Sequence, residues 1–197
     1  GGPGSSGLRS LFFSNGPYYV TSATEVELRD DAWNNQYHVV WMDNPIGTGF
    51  SYVHSDNDYS SNMQEVTDNL VLFLLGFYSS FPELKDNDLY LTGQSFGGKY
   101  VPWLAHALLE GNANGTLPYN VPLKGVAIGN SLVDPCTQVL TRPDAAYVFG
   151  LVDATQRDDA MAYANLAVES CDKELWTQAH ANRTLMEDTV KDACGSC

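Results

Sequence analysis

Residues 88–98 contain an apolar strand-like stretch that leads directly into the sequence Gly-Gln-Ser-Phe-Gly. A segment of helical character follows at residues 99–110. A strand, a sharp turn with Gly93 and Gly97 on either side, and a helix form the context in which Gly-x-Ser-x-Gly is a nucleophile elbow. Such a turn is strained, so small residues on both sides allow the chain to reverse. The sequence therefore predicts that Ser95 lies at the tip of this turn with its hydroxyl exposed.

Strand and helix signals alternate along the first two thirds of the chain. Three stretches have the apolar or β-branched composition of strands: residues 25–28, 37–42 and 123–129. A helix is expected to begin at Ser60 or Ser61, with Ser61 and Gln64 at capping-box spacing, and to end before Phe81. Its apolar face consists of Met63, Val66, Leu70, Phe73, Leu74 and Phe77. This alternation predicts an α/β fold, in which a mostly parallel sheet lies between helices.

The composition changes near Pro135, after which the pattern is helical. Residues 160–168 and 175–190 show it most clearly, and no convincing strand follows. We expect residues 1–135 to form the N-terminal part of an α/β core. Residues 136–197 are expected to form a helical insertion or cap over that core, not an independent domain.

The charge of the chain excludes some partners. The formal net charge is −14, which would be repelled by nucleic acid and by anionic membrane surfaces. No apolar run approaches the roughly 18 residues that a membrane-spanning helix needs. We therefore expect neither nucleic-acid binding nor a membrane span.

The four cysteines, Cys136, Cys171, Cys194 and Cys197, lie in the last third of the chain. An even number fits disulfides in an oxidising compartment, with three possible pairings. The C-x-x-C at residues 194–197 closes a helix instead of opening one, which disfavours a redox motif. The other two cysteines lack the pair spacing of a zinc site. Disulfides are thus favoured, and no metal is expected.

Two glycosylation sequons, at Asn114 and Asn182, agree with a secreted chain. The glycine-rich start, Gly-Gly-Pro-Gly at residues 1–4, suits close approach of backbone N–H groups to an anion, although such a stretch is also typical of an expression linker. The glycines of residues 47–49 lack the lysine and helix start of a nucleotide-binding loop.

Several of these pieces together resemble the serine carboxypeptidases, a branch of the α/β-hydrolase fold. The matching pieces, in the order of the family, are residues 1–4, 16–18, 33–34, 43–52, 81–83, 93–102, 128–130 and 134–135. They span about the first two thirds of the chain. The resemblance implies removal of single residues from peptide C-termini, outside the cell or in acidic lysosome-like or vacuolar compartments, without a cofactor.

The resemblance also implies roles for individual residues. Ser95 would be the nucleophile that attacks the last peptide carbonyl. The backbone N–H groups of Gly2 and Phe96 would form the oxyanion hole. Gly1 would lie where the loop of the family helps to hold the terminal carboxylate of the substrate.

Gln94 and Ser14 occupy positions at which the family usually has two glutamates that bind the substrate carboxylate in protonated form. Both residues here are uncharged. An amide and a hydroxyl donate hydrogen bonds at any pH. We therefore expect carboxylate binding that does not weaken through ionisation of the site as the pH rises from acidic to neutral.

This assignment lacks a catalytic base. A Ser–acid–His order requires a histidine after Ser95. His38 and His54 precede it, and His106 lies roughly 16 Å along the helix axis at ~1.5 Å per residue. His180 falls in the helical region without the expected surroundings. We therefore expect the acid and the histidine to lie outside this chain, which would be a fragment shortened at both ends.

Two other functions remain open. A carboxypeptidase-like acyltransferase would share the fold and the nucleophile, and the uncharged Ser14 and Gln94 are compatible with it. An inactive relative that serves as a binding module is the alternative without catalysis. The sequence leaves the preferred C-terminal residue and the oligomeric state open.

Overall fold

The computed structural model describes residues 1–195, which separate into two compact units on either side of the Ser131–Leu132 bond. The first unit contains α1 (Leu8–Phe13), β1 (Tyr18–Val20), β2 (Val26–Leu28), α2 (Met63–Ser80), β3 (Leu89–Gln94), α3 (Gly97–Asn114) and β4 (Leu123–Gly129). The second contains α4 (Pro135–Gln138), α5 (Thr141–Val148), α6 (Ala154–Asp172) and α7 (Trp176–Cys194). The sequence predicted the boundary between the α/β core and the helical region after residue 135. The role of the second unit as an insertion or cap stays a prediction.

The centre of the first unit is a parallel pair of strands with a crossover helix. β3 and β4 pair in register from Tyr90 opposite Gly125 to Gln94 opposite Gly129, and α3 connects them and packs on both. Parallel strands need such a crossover, which is usually a helix. The predicted strand at residues 123–129 and the predicted parallel arrangement are confirmed.

Helix α2 packs against α3 and supplies one side of the core. Val66, Leu70 and Leu74 are buried against Leu104 and Leu108 of α3, and Met63 and Phe77 pack at the margin. Phe73 of the predicted apolar face is instead 44% exposed. The helix ends at Ser80, as predicted.

The predicted N-terminus of α2 is wrong by one or two residues. The N-cap is Asn62, whose side chain accepts a hydrogen bond from the Glu65 N–H at 3.0 Å. The Glu65 carboxylate in turn accepts from the Ser61 N–H at 2.7 Å. Asn is as good an N-cap as Ser. The Glu65 carboxylate, and not Gln64, accepts from the backbone here, and its donor is the residue before the N-cap.

The predicted strand at residues 37–42 is absent. In the part of the chain that the structure describes, no backbone hydrogen bond joins residues 38–42 to another segment. A strand exists only as part of a ladder, whatever its composition. The expected strand at residues 25–28 is present as β2, and it pairs in antiparallel fashion with β1.

The second unit is helical. Ala160, Ala164 and Ala167 of α6 are buried with Met186 of α7, because small side chains let the two helices approach closely. The Cys136–Cys171 disulfide joins α4 to α6 and is one of the cysteine pairs that the sequence left open. The C-x-x-C prediction includes Ser196 and Cys197, which lie outside the described residues. Both predicted helical segments, 160–168 and 175–190, are confirmed.

Candidate active site

The strand–turn–helix predicted around Ser95 is present. Ser95 follows the last residue of β3, is exposed, and has a φ of +57°. Its N–H donates to the Gly129 carbonyl at 3.2 Å, and its carbonyl accepts from the Gly98 N–H at 3.0 Å. A non-glycine residue in the left-handed region is uncommon and is typical of strained functional turns. These two hydrogen bonds hold Ser95 in that conformation, at the carboxyl end of both strands.

Gly93 permits the close packing of β3 on α3. A Cβ at this position would lie 2.9 Å from Val101 Cγ2 and 3.0 Å from Gly97 Cα. The expected need for a small residue at Gly93 therefore has a direct steric reason. Gly97 differs, since a Cβ there would meet nothing within 4 Å beyond its chain neighbours and the nearby backbone of its own helix. Steric crowding therefore requires a glycine on the strand side of the elbow, at Gly93.

The glycine-rich loop lies beside the serine. A Cβ on Gly1 would be 3.5 Å from Ser95 Cβ and 3.9 Å from Ser95 Oγ. Gly2 has a φ of +108°, and a Cβ on it would lie 2.7 Å from the Gly4 nitrogen. Phe96 is the N-cap of α3. Within residues 1–195 no acceptor is described for the N–H of Gly2 or of Phe96. Their role as oxyanion-hole donors stays a prediction.

An aspartate of the piece at residues 43–52, to which the sequence assigned no role, anchors this loop. The Asp43 carboxylate accepts hydrogen bonds from Ser6 Oγ and the Gly7 N–H, both at 2.6 Å, and from the Phe50 N–H at 2.7 Å. Partial burial alone would raise the pKa of Asp43, but these three donors outweigh it and lower the pKa. Asp43 therefore remains ionised well into the acidic range. No periodicity marks it in the sequence, since it lies in a loop 36 residues from Gly7.

Ser14 and Gln94 lie at the ends of their elements. Ser14 is the exposed C-cap of α1, and its N–H donates to the Ser10 carbonyl at 3.1 Å. Gln94 is the exposed last residue of β3. The turn after Ser14 is fixed, because Asn15 Oδ1 accepts from Trp41 Nε1 at 3.0 Å. No contact between Ser14 and Gln94 is described in residues 1–195, and their binding role stays a prediction.

The structure shows the surroundings of the four histidines. His106 is exposed on α3 and pairs with Glu110 at 3.6 Å. His54 packs edge-on against Tyr52, with ring centroids 5.3 Å apart. His38 is exposed, and His180 lies in the second unit. Nowhere in the described chain does a histidine hydrogen-bond to Ser95.

Tyr100, one turn into α3, is a titratable group near the elbow. Its ring packs edge-on against Phe96, with centroids 5.1 Å apart, and its hydroxyl is buried without a partner among the described residues. Burial raises the pKa of Tyr100 to about 12. A phenol with this pKa stays protonated at neutral pH, so Tyr100 is unsuited to the role of general base.

The two sequons differ in their surroundings. Asn114 is exposed at the C-terminal end of α3. Asn182 lies inside α7, half-buried, and its side-chain amide donates to the buried Ser170 Oγ at 3.3 Å. Among residues 1–195 there is no group of three or more His, Cys, Asp or Glu side chains that could hold a metal ion. Nor does that part of the chain contain a helix with the length and apolar character to cross a bilayer.

A strained serine at the end of parallel strands, beside a glycine-rich loop, has the geometry of a nucleophile elbow of the hydrolase type. The family model for serine carboxypeptidases matches residues 1–195, and the chain belongs to this family. The structure of this chain is similar to the crystal structure of Kex1Δp, a prohormone-processing carboxypeptidase from Saccharomyces cerevisiae. This similarity shows that the chain has part of an α/β-hydrolase fold. That structure matches with a TM-score of 0.83 and 26% identity over 96% of this chain and 43% of that one.

Curated relatives also support membership of the serine carboxypeptidase family. The chain is 39% identical to a probable serine carboxypeptidase CPVL of Dictyostelium discoideum, over 91% of this chain and 36% of the relative. It is 39% identical to the venom serine carboxypeptidase of Apis mellifera, over 91% of this chain and 38% of the relative. The chain thus spans well under half the length of these relatives.

Proposed function

We propose that the protein to which this chain belongs is a serine-type carboxypeptidase, which releases C-terminal residues from peptides through an acyl-enzyme on Ser95. The observation that carries this proposal is the exposed Ser95, held at φ +57° with Gly1 directly beside it. Family membership supports the same chemistry. Peptide and protein C-termini are the proposed substrates, and a secreted, lysosomal or vacuolar location is the one proposed for such an enzyme.

In this mechanism Ser95 Oγ attacks the last peptide carbonyl and gives its proton to a histidine base. Within residues 1–195 no histidine is described as hydrogen-bonded to Ser95. The carbonyl oxygen becomes an oxyanion that accepts hydrogen bonds from the N–H groups of Gly2 and Phe96. Collapse of the tetrahedral intermediate breaks the C–N bond, and the proton passes to the leaving amine. Water then hydrolyses the ester.

Binding of the substrate carboxylate falls to Gly1, Ser14 and Gln94 in this proposal. Gln94 directly precedes Ser95, and Gly1 lies beside it, which suits a group next to the scissile bond. The uncharged side chains of Ser14 and Gln94 are also compatible with a second candidate, an acyltransferase that uses the same serine. Such an enzyme would pass the acyl group to a small-molecule hydroxyl instead of water.

A fluorophosphonate probe applied to the full-length protein tests the proposal. Wild type and a Ser79→Ala control, which alters an exposed serine of α2, should be labelled, whereas Ser95→Ala should not. Blocked peptides and acyl-glucose donors then separate the two enzymes by their products. Absence of labelling in wild type would favour the binding module without catalysis.

A further inference from the structure

Three segments meet at the Asp43 carboxylate. Oδ1 accepts from Ser6 Oγ and the Gly7 N–H, so it holds the end of the loop formed by residues 1–7. Oδ2 accepts from the Phe50 N–H, and the Asp43 carbonyl accepts from Ser51 Oγ at 2.7 Å. An ionised acceptor forms stronger hydrogen bonds than a neutral one. One side chain therefore ties the glycine-rich loop to the segment at residues 47–51.

Two glycines let the backbone pack closely around the Asp43 carboxylate. Gly49 has a φ of +56°, and a Cβ at this position would collide with Asp43 Oδ2. Gly7 also packs closely on the chain just before Asp43, since a Cβ there would lie 2.7 Å from the Met42 carbonyl oxygen. Glycines on both sides thus let backbone approach residues 42 and 43 at distances that a side chain would prevent.

We propose that Asp43 is a positioning residue that holds residues 1–7 in place beside Ser95. This inference rests on the proposed function, because the loop matters for catalysis only if Ser95 is the nucleophile. Oxyanion-hole donors act only when they are fixed before the reaction, and loss of one such donor costs about 10²–10³ in rate. Gly7 and Gly1 lie in one loop, so release of Gly7 displaces the wall of the site without removing any group that touches substrate.

Substitutions at Asp43 separate the contacts. Asp43→Ala removes all three side-chain acceptor contacts. Asp43→Asn keeps an oxygen for Ser6 and Gly7 but turns an N–H₂ toward the Phe50 N–H. The labelling rate constant of Ser95 should fall by about tenfold or more in Asp43→Ala and less in Asp43→Asn, whereas the control Asp86→Asn, which alters an exposed carboxylate, should match wild type.

Gly49→Ala provides an independent test, because it displaces the carboxylate without changing it. Its control is Gly115→Ala, where φ is +71° and a Cβ meets nothing within 4 Å. Both variants carry the strain of an alanine at positive φ, but only Gly49→Ala disturbs Asp43. We expect slower labelling in Gly49→Ala alone.

Two measurements on the full-length protein distinguish a positioning role of Asp43 from unfolding of the variant and from failure of the proposed function. The final extent of labelling reports the folded fraction, whereas the rate constant reports the geometry of the site. Hydrogen exchange of peptides from residues 1–13 should accelerate in Asp43→Ala, with peptides from β4 unchanged. Unchanged exchange in residues 1–13, or an unchanged rate constant at full extent, would overturn the proposal. If wild type is not labelled, the proposed function fails, and hydrogen exchange still decides whether Asp43 holds the loop.

Discussion

Gly1 lies so close to Ser95 that a Cβ on it would stand 3.5 Å from the Cβ of the serine. This separation is ordinary van der Waals contact, so a methyl group would fit, and a branched side chain would cover the hydroxyl. Two segments that are distant in the sequence thereby form one wall. Its shape depends on the backbone of residues 1–4, where glycines adopt conformations that other residues avoid.

Gly2→Ala should displace this wall. Gly2 and Gly4 both have positive φ, +108° and +84°, but a Cβ on Gly2 would lie 2.7 Å from the Gly4 nitrogen, while one on Gly4 meets nothing within 4 Å. We expect fluorophosphonate labelling of Ser95 in the full-length protein to slow by about 10²-fold in Gly2→Ala, as for loss of one oxyanion-hole donor. Gly4→Ala, the matched control for backbone strain, should slow it far less. Equal rates in the two variants would contradict a specific role for Gly2.

Gly93→Ala should destabilise the first unit. The added methyl group would lie 2.9 Å from Val101 Cγ2 and 3.0 Å from Gly97 Cα, and overpacking of this kind costs about 1–3 kcal/mol. The control is Gly76→Ala in α2, where a Cβ meets nothing within 4 Å and alanine should stabilise the helix by about 0.5–1 kcal/mol. Chemical denaturation of both variants checks these opposite signs. A neutral Gly93→Ala would show that β3 and α3 can separate without cost.

The features that the sequence predicted are those with local signals. The apolar run of β4, the helical spacing of Leu70 and Leu74, and the Gly-x-Ser-x-Gly turn each depend on neighbouring residues, and all three are present in the structure. Residues 37–42 have the composition of a strand, but a strand also needs a hydrogen-bonded partner, which composition does not reveal.

The anchoring role of Asp43 could not be predicted for a related reason. Its contacts with Ser6 and Gly7 join loops that are far apart in the sequence, and loops carry no hydrophobic period. The N-cap of α2 was misplaced because Ser61 and Asn62 are both good N-caps, and the choice depends on which one presents its oxygen to the Glu65 N–H.

Removal of the Cys136–Cys171 disulfide should destabilise the second unit. The bond closes a loop with a sequence separation of 35, for which the chain-entropy model gives about 3–4 kcal/mol. In a Cys136→Ser, Cys171→Ser double variant, hydrogen exchange in α6 should accelerate, and peptides from β3 and β4 should be unaffected. Slow exchange in α6 of the double variant would mean that the alanine packing of α6 on α7 is sufficient.

Glycosylation should distinguish the two sequons in a secretory expression host. Asn114 is exposed at a helix end, whereas the Asn182 amide lies in α7 and donates to the buried Ser170. We expect Asn114→Gln to remove one glycan mass from the intact protein and Asn182→Gln to leave the mass of the glycans unchanged. A glycan on Asn182, detected by peptide mass spectrometry, would show that modification precedes folding of the second unit.

The uncharged Gln94 should make carboxylate binding insensitive to pH. In the full-length enzyme, KM for a peptide with a free C-terminus should stay flat between about pH 5 and pH 7, because an amide donates without gaining a proton. Gln94→Glu should raise KM by up to about tenfold per pH unit above the pKa of the introduced carboxyl, since two carboxylates then repel. The control Gln178→Glu, which alters an exposed residue of α7, should behave as wild type. A wild-type KM that rises steeply over this range would show that another ionising group binds the substrate carboxylate.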